Sequence, residues 1–348
     1  VIRGINMNVV DKLIENTIRT KNPSVIGLDP DIGKIPACYK VNAKSNNPFE
    51  AVSNVIYEFN RDVIDTVADL VPAVKPQMAF YEKYGSYGVA AFEKTVAYAK
   101  SKELVVVEDA KRNDIGNTAG AYADGHLGCV ELLDGSCTPS FDADFLTVTP
   151  FLGSESLHPF IEVCKKNSKG IFVLVKTSNT SSGEIQDVVA SDGMTISQSI
   201  AKYVSGQADT FTGEHGYSSI GAVVGATYPE EAVSLRKLMP KSYFLVPGYG
   251  AQGGGAKDIL PCFNEDGLGA IVNSSRGIIA AYKKDALIAA LVAIAFMVLF
   301  LVLMIWVTTV DPDVPIILSI LLISIPTIGI VGTLLALRER FKEIEGGE

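Results

Sequence analysis

Eight short apolar runs, rich in β-branched residues, alternate with helix-like segments along the first 285 residues, and this alternation limits the fold more than any other feature. The runs lie at 25–28, 70–74, 104–107, 145–148, 170–175, 221–224, 243–246 and 269–272. Amphipathic segments at 48–70, 87–101, 154–166, 194–204 and 229–238 predict helices between them. Eight such units over about 260 residues indicate an α/β fold, a (β/α)8 TIM barrel.

An open, doubly wound sheet would alternate in the same way, but polar and glycine-rich residues follow the runs and favour the closed barrel. Barrel enzymes build their active sites at the carboxyl ends of the strands. The polar or glycine residues at or just after those ends are Asp29, Lys75, Asp109, Lys111, Thr177, Ser178, Gly248 and Arg276.

Charge and cysteine content exclude several classes of function. The formal net charge of −9 argues against nonspecific nucleic-acid binding, which requires a basic surface. The five cysteines show no C-x-x-C spacing, so we expect reduced cytosolic thiols and neither a disulfide framework nor a zinc site. The three histidines share no ligand spacing, and no metal is implied.

The sequence changes character after residue 285. Residues 286–310 carry no charge over 25 positions, about 37 Å as a helix, and residues 314–337 are equally uncharged. Two domains are therefore predicted, a barrel at 1–285 and a two-helix transmembrane hairpin with a charged tail at 286–348. A pair of buried core helices is the alternative, but outer helices of a barrel need polar faces, which these segments lack.

Basic residues flank the predicted hairpin on both sides, and its connecting loop carries only two acids. By the positive-inside tendency both ends then face the cytoplasm, which would tether a cytoplasmic domain to the cytoplasmic membrane. The basic residues are Lys283, Lys284, Arg338, Arg340 and Lys342, and the acids of the loop are Asp311 and Asp313.

The stretch 105–118, VVVEDAKRNDIGNT, places two acids and one lysine around the end of an apolar run. Alternate side chains of a strand share a face, so Asp109 and Lys111 should point the same way, with Asp114 on the loop beyond. Carboxylates this close are costly unless a cation lies between them. The plainer interpretations are a strand-end salt bridge for Lys111 and a helix cap for Asp114.

This D-x-K-x-x-D pattern resembles the signature of orotidine 5'-phosphate decarboxylases, although related sugar-phosphate decarboxylases and synthases carry similar triplets. The resemblance is to the long bacterial or archaeal form of the enzyme and covers residues 8–284. Six further blocks carry it, namely VIGLDPD from Val25, AVKPQMAFYEKYG from Ala73, VTPFLG from Val148, VKTSNTSS from Val175, VPGYGAQGGG from Val246 and VNSSRGII from Val272.

The resemblance implies a cofactor-free decarboxylation of orotidine 5'-phosphate to uridine 5'-phosphate. It implies that Lys111 donates the proton to C6 and that Asp109 lies near the leaving carboxylate. Lys75 would complete an alternating catalytic chain of Lys75, Asp109, Lys111 and Asp114. It would also contact the ribose, as would Asp29. Asp114 and Thr118 would complete the site of the partner subunit in a homodimer.

The resemblance also assigns Ser178 to the pyrimidine and Gln252 to the phosphate. Independently, the glycine-rich loop 248–255 and Arg276 indicate an anion site, because backbone N–H groups and a guanidinium can both donate to phosphate. Two other functions stay open: a sugar-phosphate lyase, and a nonenzymatic nucleotide-phosphate-binding module attached to a membrane assembly hairpin.

Overall fold

The computed structural model describes residues 7–41, 43–250 and 253–282. The chain divides into two compact units, the first of which ends at Ile279. The predicted hairpin at 286–310 and 314–337 lies outside the described residues. Within those residues, no helix combines the length and the apolar character needed to cross a bilayer.

The first unit is a closed barrel of eight parallel strands, as predicted, with one small antiparallel hairpin beside it. Around the barrel the order is β1-β10-β9-β8-β7-β6-β3-β2, and β4 pairs with β5 in the hairpin. The strands are β1 Ser24–Leu28, β2 Ala73–Pro76, β3 Val105–Arg112, β4 Val130–Glu131, β5 Cys137–Thr138, β6 Phe145–Val148, β7 Gly170–Lys176, β8 Ser218–Val224, β9 Ser242–Val246 and β10 Ala270–Ser274.

Helices follow most barrel strands and form the outer layer. The long ones are α1 Val9–Thr20, α3 Pro48–Val67, α5 Gly85–Ser101, α6 Gly116–His126, α7 Ser154–Asn167, α9 Ile196–Gln207 and α10 Pro229–Leu238. The short ones are α2 Ala37–Val41, α4 Ala79–Glu82, α8 Gly183–Gln186, α11 Ala256–Ile259 and α12 Arg276–Ile279.

The predicted elements match the observed ones closely, and the differences have local causes. The second strand begins at Ala73, three residues later than its apolar run, because α3 ends at Val67 and a turn that exposes Leu70 comes first. Helix α9 starts later than expected because Thr195 forms a capping box with Gln198, which satisfies free N–H groups of the first turn.

The barrel is filled by apolar side chains, and α1 packs against them. Phe145 and Phe172 stack inside the barrel with ring centres 4.8 Å apart. Leu13 and Ile14 of α1 are fully buried in the same cluster. The lower barrel, meaning the half next to the amino ends of the strands, is therefore a solid core. The carboxyl ends of the strands remain as the place where a cavity can form.

The expectation of five reduced thiols is wrong for one pair of cysteines. Cys129 and Cys137 form a disulfide, with Cα atoms 5.6 Å apart. The β4–β5 hairpin brings them together, since Glu131 pairs with Cys137 in register. A spacing of eight residues matches no familiar cysteine motif, so neither the disulfide nor the hairpin that closes it could be recognised from the sequence. The other three cysteines, Cys38, Cys164 and Cys262, are free thiols.

Candidate active site

A cavity of about 620 Å3 opens at the carboxyl ends of the barrel strands. Its lining includes Asp29, Lys75, Asp109, Lys111 and Ser178, which the sequence had pointed to from four separate blocks. The structure thus brings these five residues together around one cavity. The cavity is polar at its strand-end wall and is bounded elsewhere by Leu174, Val223 and Leu245 of the barrel interior.

Asp109 lies at the centre of the cavity wall and accepts four hydrogen bonds. Its Oδ2 accepts from Lys75 Nζ at 2.6 Å and from Gln77 Nε2 at 3.0 Å. Its Oδ1 accepts from Lys111 Nζ at 2.6 Å and from Thr147 Oγ1 at 3.0 Å. The carboxylate is thus held in one orientation, with an ammonium group on each oxygen.

Burial alone would raise the pKa of Asp109, but the charges of Lys75 and Lys111 outweigh it and hold that pKa well below its usual range. Burial likewise would lower the pKa of Lys75, whereas Asp109 and then Asp29 raise it above the ordinary value. Asp109 is therefore ionised and Lys75 protonated at neutral pH. Lys75 is almost fully buried, while the Lys111 side chain is 48% exposed and can reach a ligand.

A local irregularity of β3 points Lys111 into the cavity. The β3–β6 register shifts between Glu108 and Arg112, and Lys111 adopts a left-handed backbone conformation with φ of 49°. Thr147 on β6 stabilises this turn of the chain, because its Oγ1 accepts from Lys111 N at 3.0 Å. Residues on the other face of β3 point outward. On that face, Glu108 Oε1 lies 2.8 Å from Nδ1 of His126 on α6.

Two buried acceptors in the cavity lack hydrogen-bond donors among the residues that the structure describes. They are Asp29 Oδ1 and Asn273 Oδ1. Asp29 Oδ2 is already bonded to Ser275 Oγ at 2.6 Å, which fixes the side chain. Because buried polar atoms in proteins nearly always have partners, these two oxygens indicate a ligand with hydroxyl or N–H donors.

Other residues predicted for the site lie apart from this cavity within one chain. Asp114 does not act as the helix cap that was its plainer interpretation, since Ile115 is the N-cap of α6. Asp114 Oδ1 accepts from Ile115 N at 2.8 Å. Thr118 is exposed on α6, and neither residue is among the described residues that line the cavity. The sequence predicted two acids around one lysine. Within a single chain the structure instead places two lysines, Lys75 and Lys111, around one acid, Asp109.

The predicted anion site is only partly described. Arg276 begins α12 directly after β10, and Gln252 lies outside the described residues. The glycine-rich loop is tight: Gly254 N donates to Gly248 O at 3.1 Å, and a Cβ at Gly254 would come within 2.8 Å of that oxygen. Glycine is therefore required there for the chain to turn back beside Pro247, which lines the cavity.

Several polar residues of the cavity were not singled out in the sequence, among them Gln77, Thr147, Gln186 and Asn273. Gln77 could have been found, because it lies two residues beyond Lys75. Thr147 is the single polar position in the run 145–148, a weaker sign. Asn273 could also have been found, because it directly follows the last apolar run. Gln186 gave no signal, since its place in the cavity depends on contacts between separate elements.

Comparisons with known proteins agree on one family. The family model described as "Orotidine 5'-phosphate decarboxylase / HUMPS family" matches residues 54–290. Orotidine 5'-phosphate decarboxylase of Rhodopirellula baltica is 44% identical over 279 residues, which is 80% of this chain and 90% of the relative. The enzyme of Caldicellulosiruptor bescii is 39% identical over 280 residues, 80% of this chain and 91% of the relative.

Solved structures lead to the same family. A putative orotidine 5'-phosphate decarboxylase from Streptomyces avermitilis superposes with a TM-score of 0.64 at 33% identity, covering 80% of this chain and 90% of that one. A putative orotidine-monophosphate decarboxylase from Toxoplasma gondii gives a TM-score of 0.64 at 30% identity, covering 79% and 91%.

The charge of Asp109 should stabilise the fold in a pH-dependent way. Asp109→Asn leaves Lys75 buried without its anion, so we expect the free energy of unfolding at pH 7 to fall by about 3–5 kcal/mol. The lowered pKa gives wild-type stability that is present above the unfolded pKa of about 3.9 and is lost as the pH falls below it. In urea unfolding, the difference in the free energy of unfolding between wild type and variant should be smaller near pH 3 than at pH 7. A difference independent of pH would contradict the assignment.

Proposed function

This chain belongs to the family of orotidine 5'-phosphate decarboxylases, and from that premise we propose that Lys111 donates the proton in its reaction. The reaction is the decarboxylation of orotidine 5'-phosphate to uridine 5'-phosphate, the step that yields UMP in pyrimidine biosynthesis. The observation that supports our assignment is the ionised, buried Asp109 with an ammonium group on each oxygen, at the carboxyl ends of the strands.

The bond from C6 of the pyrimidine to its carboxylate breaks heterolytically, and its electron pair stays on C6 while carbon dioxide leaves. That charge lies in the ring plane, where the π system cannot delocalise it. The Lys111 ammonium stabilises the charge as it develops and transfers one N–H proton to C6, and the neutral amine then takes a proton from solvent. Asp109 directs Lys111 into the cavity through the 2.6 Å hydrogen bond.

Asp109 also acts on the bound substrate. Its ionised carboxylate lies where the substrate carboxylate must approach Lys111, and two such anions repel each other. The repulsion is greater in the ground state than in the transition state, where the substrate charge is leaving the carboxylate. Binding energy from the distant phosphate offsets the repulsion.

The remaining cavity residues divide between the two other parts of the substrate. Asp29 Oδ1, buried and without a donor in the described chain, accepts a ribose hydroxyl beside Lys75. Ser178 contacts the pyrimidine. Gln252 and Arg276 hold the phosphate together with the backbone of the glycine-rich loop.

We further propose that the enzyme is a homodimer in which Asp114 and Thr118 complete the partner subunit's site. Both residues are near the start of α6, outside the cavity of their own chain. The surface around them is apolar: Ile115 and Leu152 are each 49% exposed, and Phe151 is 78% exposed. The starts of α6 and α7 adjoin, since Gly116 and Ser154 line one surface pocket. A second copy would cover this surface.

Residues 286–310 and 314–337 are proposed to anchor a cytoplasmic catalytic domain to the membrane. The support is their length without charge and the basic residues on both flanks. The family match ends at residue 290, so most of these residues lie beyond the part of the chain that matches the family.

Two other functions are less well supported. A nonenzymatic binding module has no need to desolvate a carboxylate between two lysines, which costs free energy in the unliganded protein. A metal-dependent sugar-phosphate lyase would require a cation for activity, which a chelator would remove.

Replacing Lys111 tests the reaction directly. Lys111→Ala should lower kcat for carbon dioxide release from orotidine 5'-phosphate by about 100-fold to 10,000-fold, the range for loss of a general acid. Lys241→Ala, which removes an exposed lysine paired with Asp209, is the matched control and should keep wild-type activity. All three proteins are assayed after chelator treatment, and their circular dichroism spectra should coincide. Loss of wild-type activity to the chelator would favour the lyase.

The shared site is tested by mixing two inactive variants. Lys111→Ala and Asp114→Ala homodimers should each be nearly inactive. In their heterodimer one site has both residues intact, so a statistical mixture should regain about a quarter of wild-type activity. If Asp114 acts within its own chain, every site keeps one defect and no activity returns.

The anchor is tested by cell fractionation of the full chain and of a chain ending at residue 285. The full chain should sediment with membranes, resist alkaline carbonate and require detergent for release. The shortened chain should remain in the supernatant with unchanged kcat/KM. Full-length protein in the carbonate supernatant would rule out the anchor.

A further inference from the structure

One segment of the chain supplies a large share of the cavity lining. This cavity segment, residues 177–187, follows β7 and contains α8. Its members that line the cavity are Thr177, Ser178, Asn179, Ser181, Ser182, Glu184, Ile185 and Gln186. Ile185 is 56% exposed although it faces the cavity, so a flat, partly apolar ligand would cover it. The position of this segment therefore decides the shape of one side of the site.

Both ends of the cavity segment are tied to one buried ammonium group. Lys176 precedes the segment, and its side chain is fully buried. Its Nζ donates to Asp187 Oδ1 at 2.5 Å, at the far end of the segment, and to Glu231 Oε2 of α10 at 3.0 Å. The same Nζ lies 4.5 Å from the centre of the Tyr228 ring. The ammonium thus fastens the segment to α10.

Hydrogen bonds within the segment and to its neighbours complete the arrangement. Thr177 N donates to Gln186 Oε1 at 2.9 Å, and Gln186 Nε2 donates back to Thr177 Oγ1 at 2.8 Å. From the loop before α10, Thr227 Oγ1 donates to the carbonyl oxygen of Ser178 at 3.1 Å. The backbone at Ser178 is therefore fixed from the same side as the buried ammonium.

The charge of Lys176 is not needed for packing alone. Methionine would fill a similar volume at less desolvation cost, so a buried lysine in this position needs a further reason. Asp187 is 42% exposed and would point into solvent without an adjacent cation. Pairing with Lys176 therefore holds the end of the cavity segment on one side, and Ser197 Oγ, which donates to Gln186 O at 3.0 Å, holds it on another.

We propose that Lys176 is a positioning residue that, through Asp187, holds the cavity segment so that Ser178 and Ile185 meet the pyrimidine ring. The inference rests on the proposed function, because it assigns this side of the cavity to the pyrimidine of orotidine 5'-phosphate. Lys176 touches no reacting atom and acts through the segment.

The test replaces the exposed partner, Asp187, and leaves the buried lysine with its second partner, Glu231. In the full chain, Asp187→Ala should lower kcat/KM for orotidine 5'-phosphate roughly tenfold or more, because the segment loses its placement. The inhibition constant of UMP should rise by a similar factor. The inhibition constant of ribose 5-phosphate should not change, since it has no pyrimidine. Asp209→Ala removes the acid of an exposed ion pair with Lys241 that does not line the cavity, so it is the matched control and should behave as wild type.

Three results would overturn the inference. They are an unchanged kcat/KM, equal weakening of UMP and ribose 5-phosphate, or a loss of activity that simply parallels a fall in melting temperature, which indicates a structural role. Failure of the proposed function is distinct. A wild type that binds UMP but releases no carbon dioxide refutes the function, while selective weakening of UMP by Asp187→Ala would still support the positioning role.

Discussion

The pairing of one buried carboxylate with two ammonium groups is the constraint on which the site depends. Asp109 is shielded from water, and without Lys75 and Lys111 its negative charge would be too costly to keep there. Each group also needs the others for its orientation, since the two lysines bond to different oxygens of the same carboxylate. Charge and geometry are therefore determined together, and the Lys111 ammonium is in position before a ligand binds.

The barrel makes this arrangement possible by separating stability from chemistry. Stacked aromatic and aliphatic side chains fill the lower barrel, with α1 packed against them. The polar groups lie on strand ends and loops above that core. Lys176 repeats this arrangement on another wall of the cavity. There a buried ammonium group holds the cavity segment through the carboxylate of Asp187. Two buried cations thus shape the cavity from two sides.

The sequence allowed much of this to be predicted, for reasons that differ between residues. Apolar runs located all eight strands, because burial on both faces leaves a strong local pattern. Strand-end position then brought Asp29, Lys75, Asp109 and Lys111 together. Gln186 and the partners of Lys176 were not predictable, since each depends on how separate elements pack together. The Cys129–Cys137 disulfide was missed because a two-residue strand pair carries almost no pattern.

Closure of the barrel joins the two ends of the catalytic unit, since Ser24 of β1 pairs with Val272 of β10. A newly made chain must therefore wait for its last strand, and until then β1 and β9 present bare edges whose N–H and C=O groups can pair with other molecules. Such a long-range contact is slow to form. The growing polypeptide is most vulnerable to aggregation just before β10 is synthesised, and this final strand protects the whole molecule.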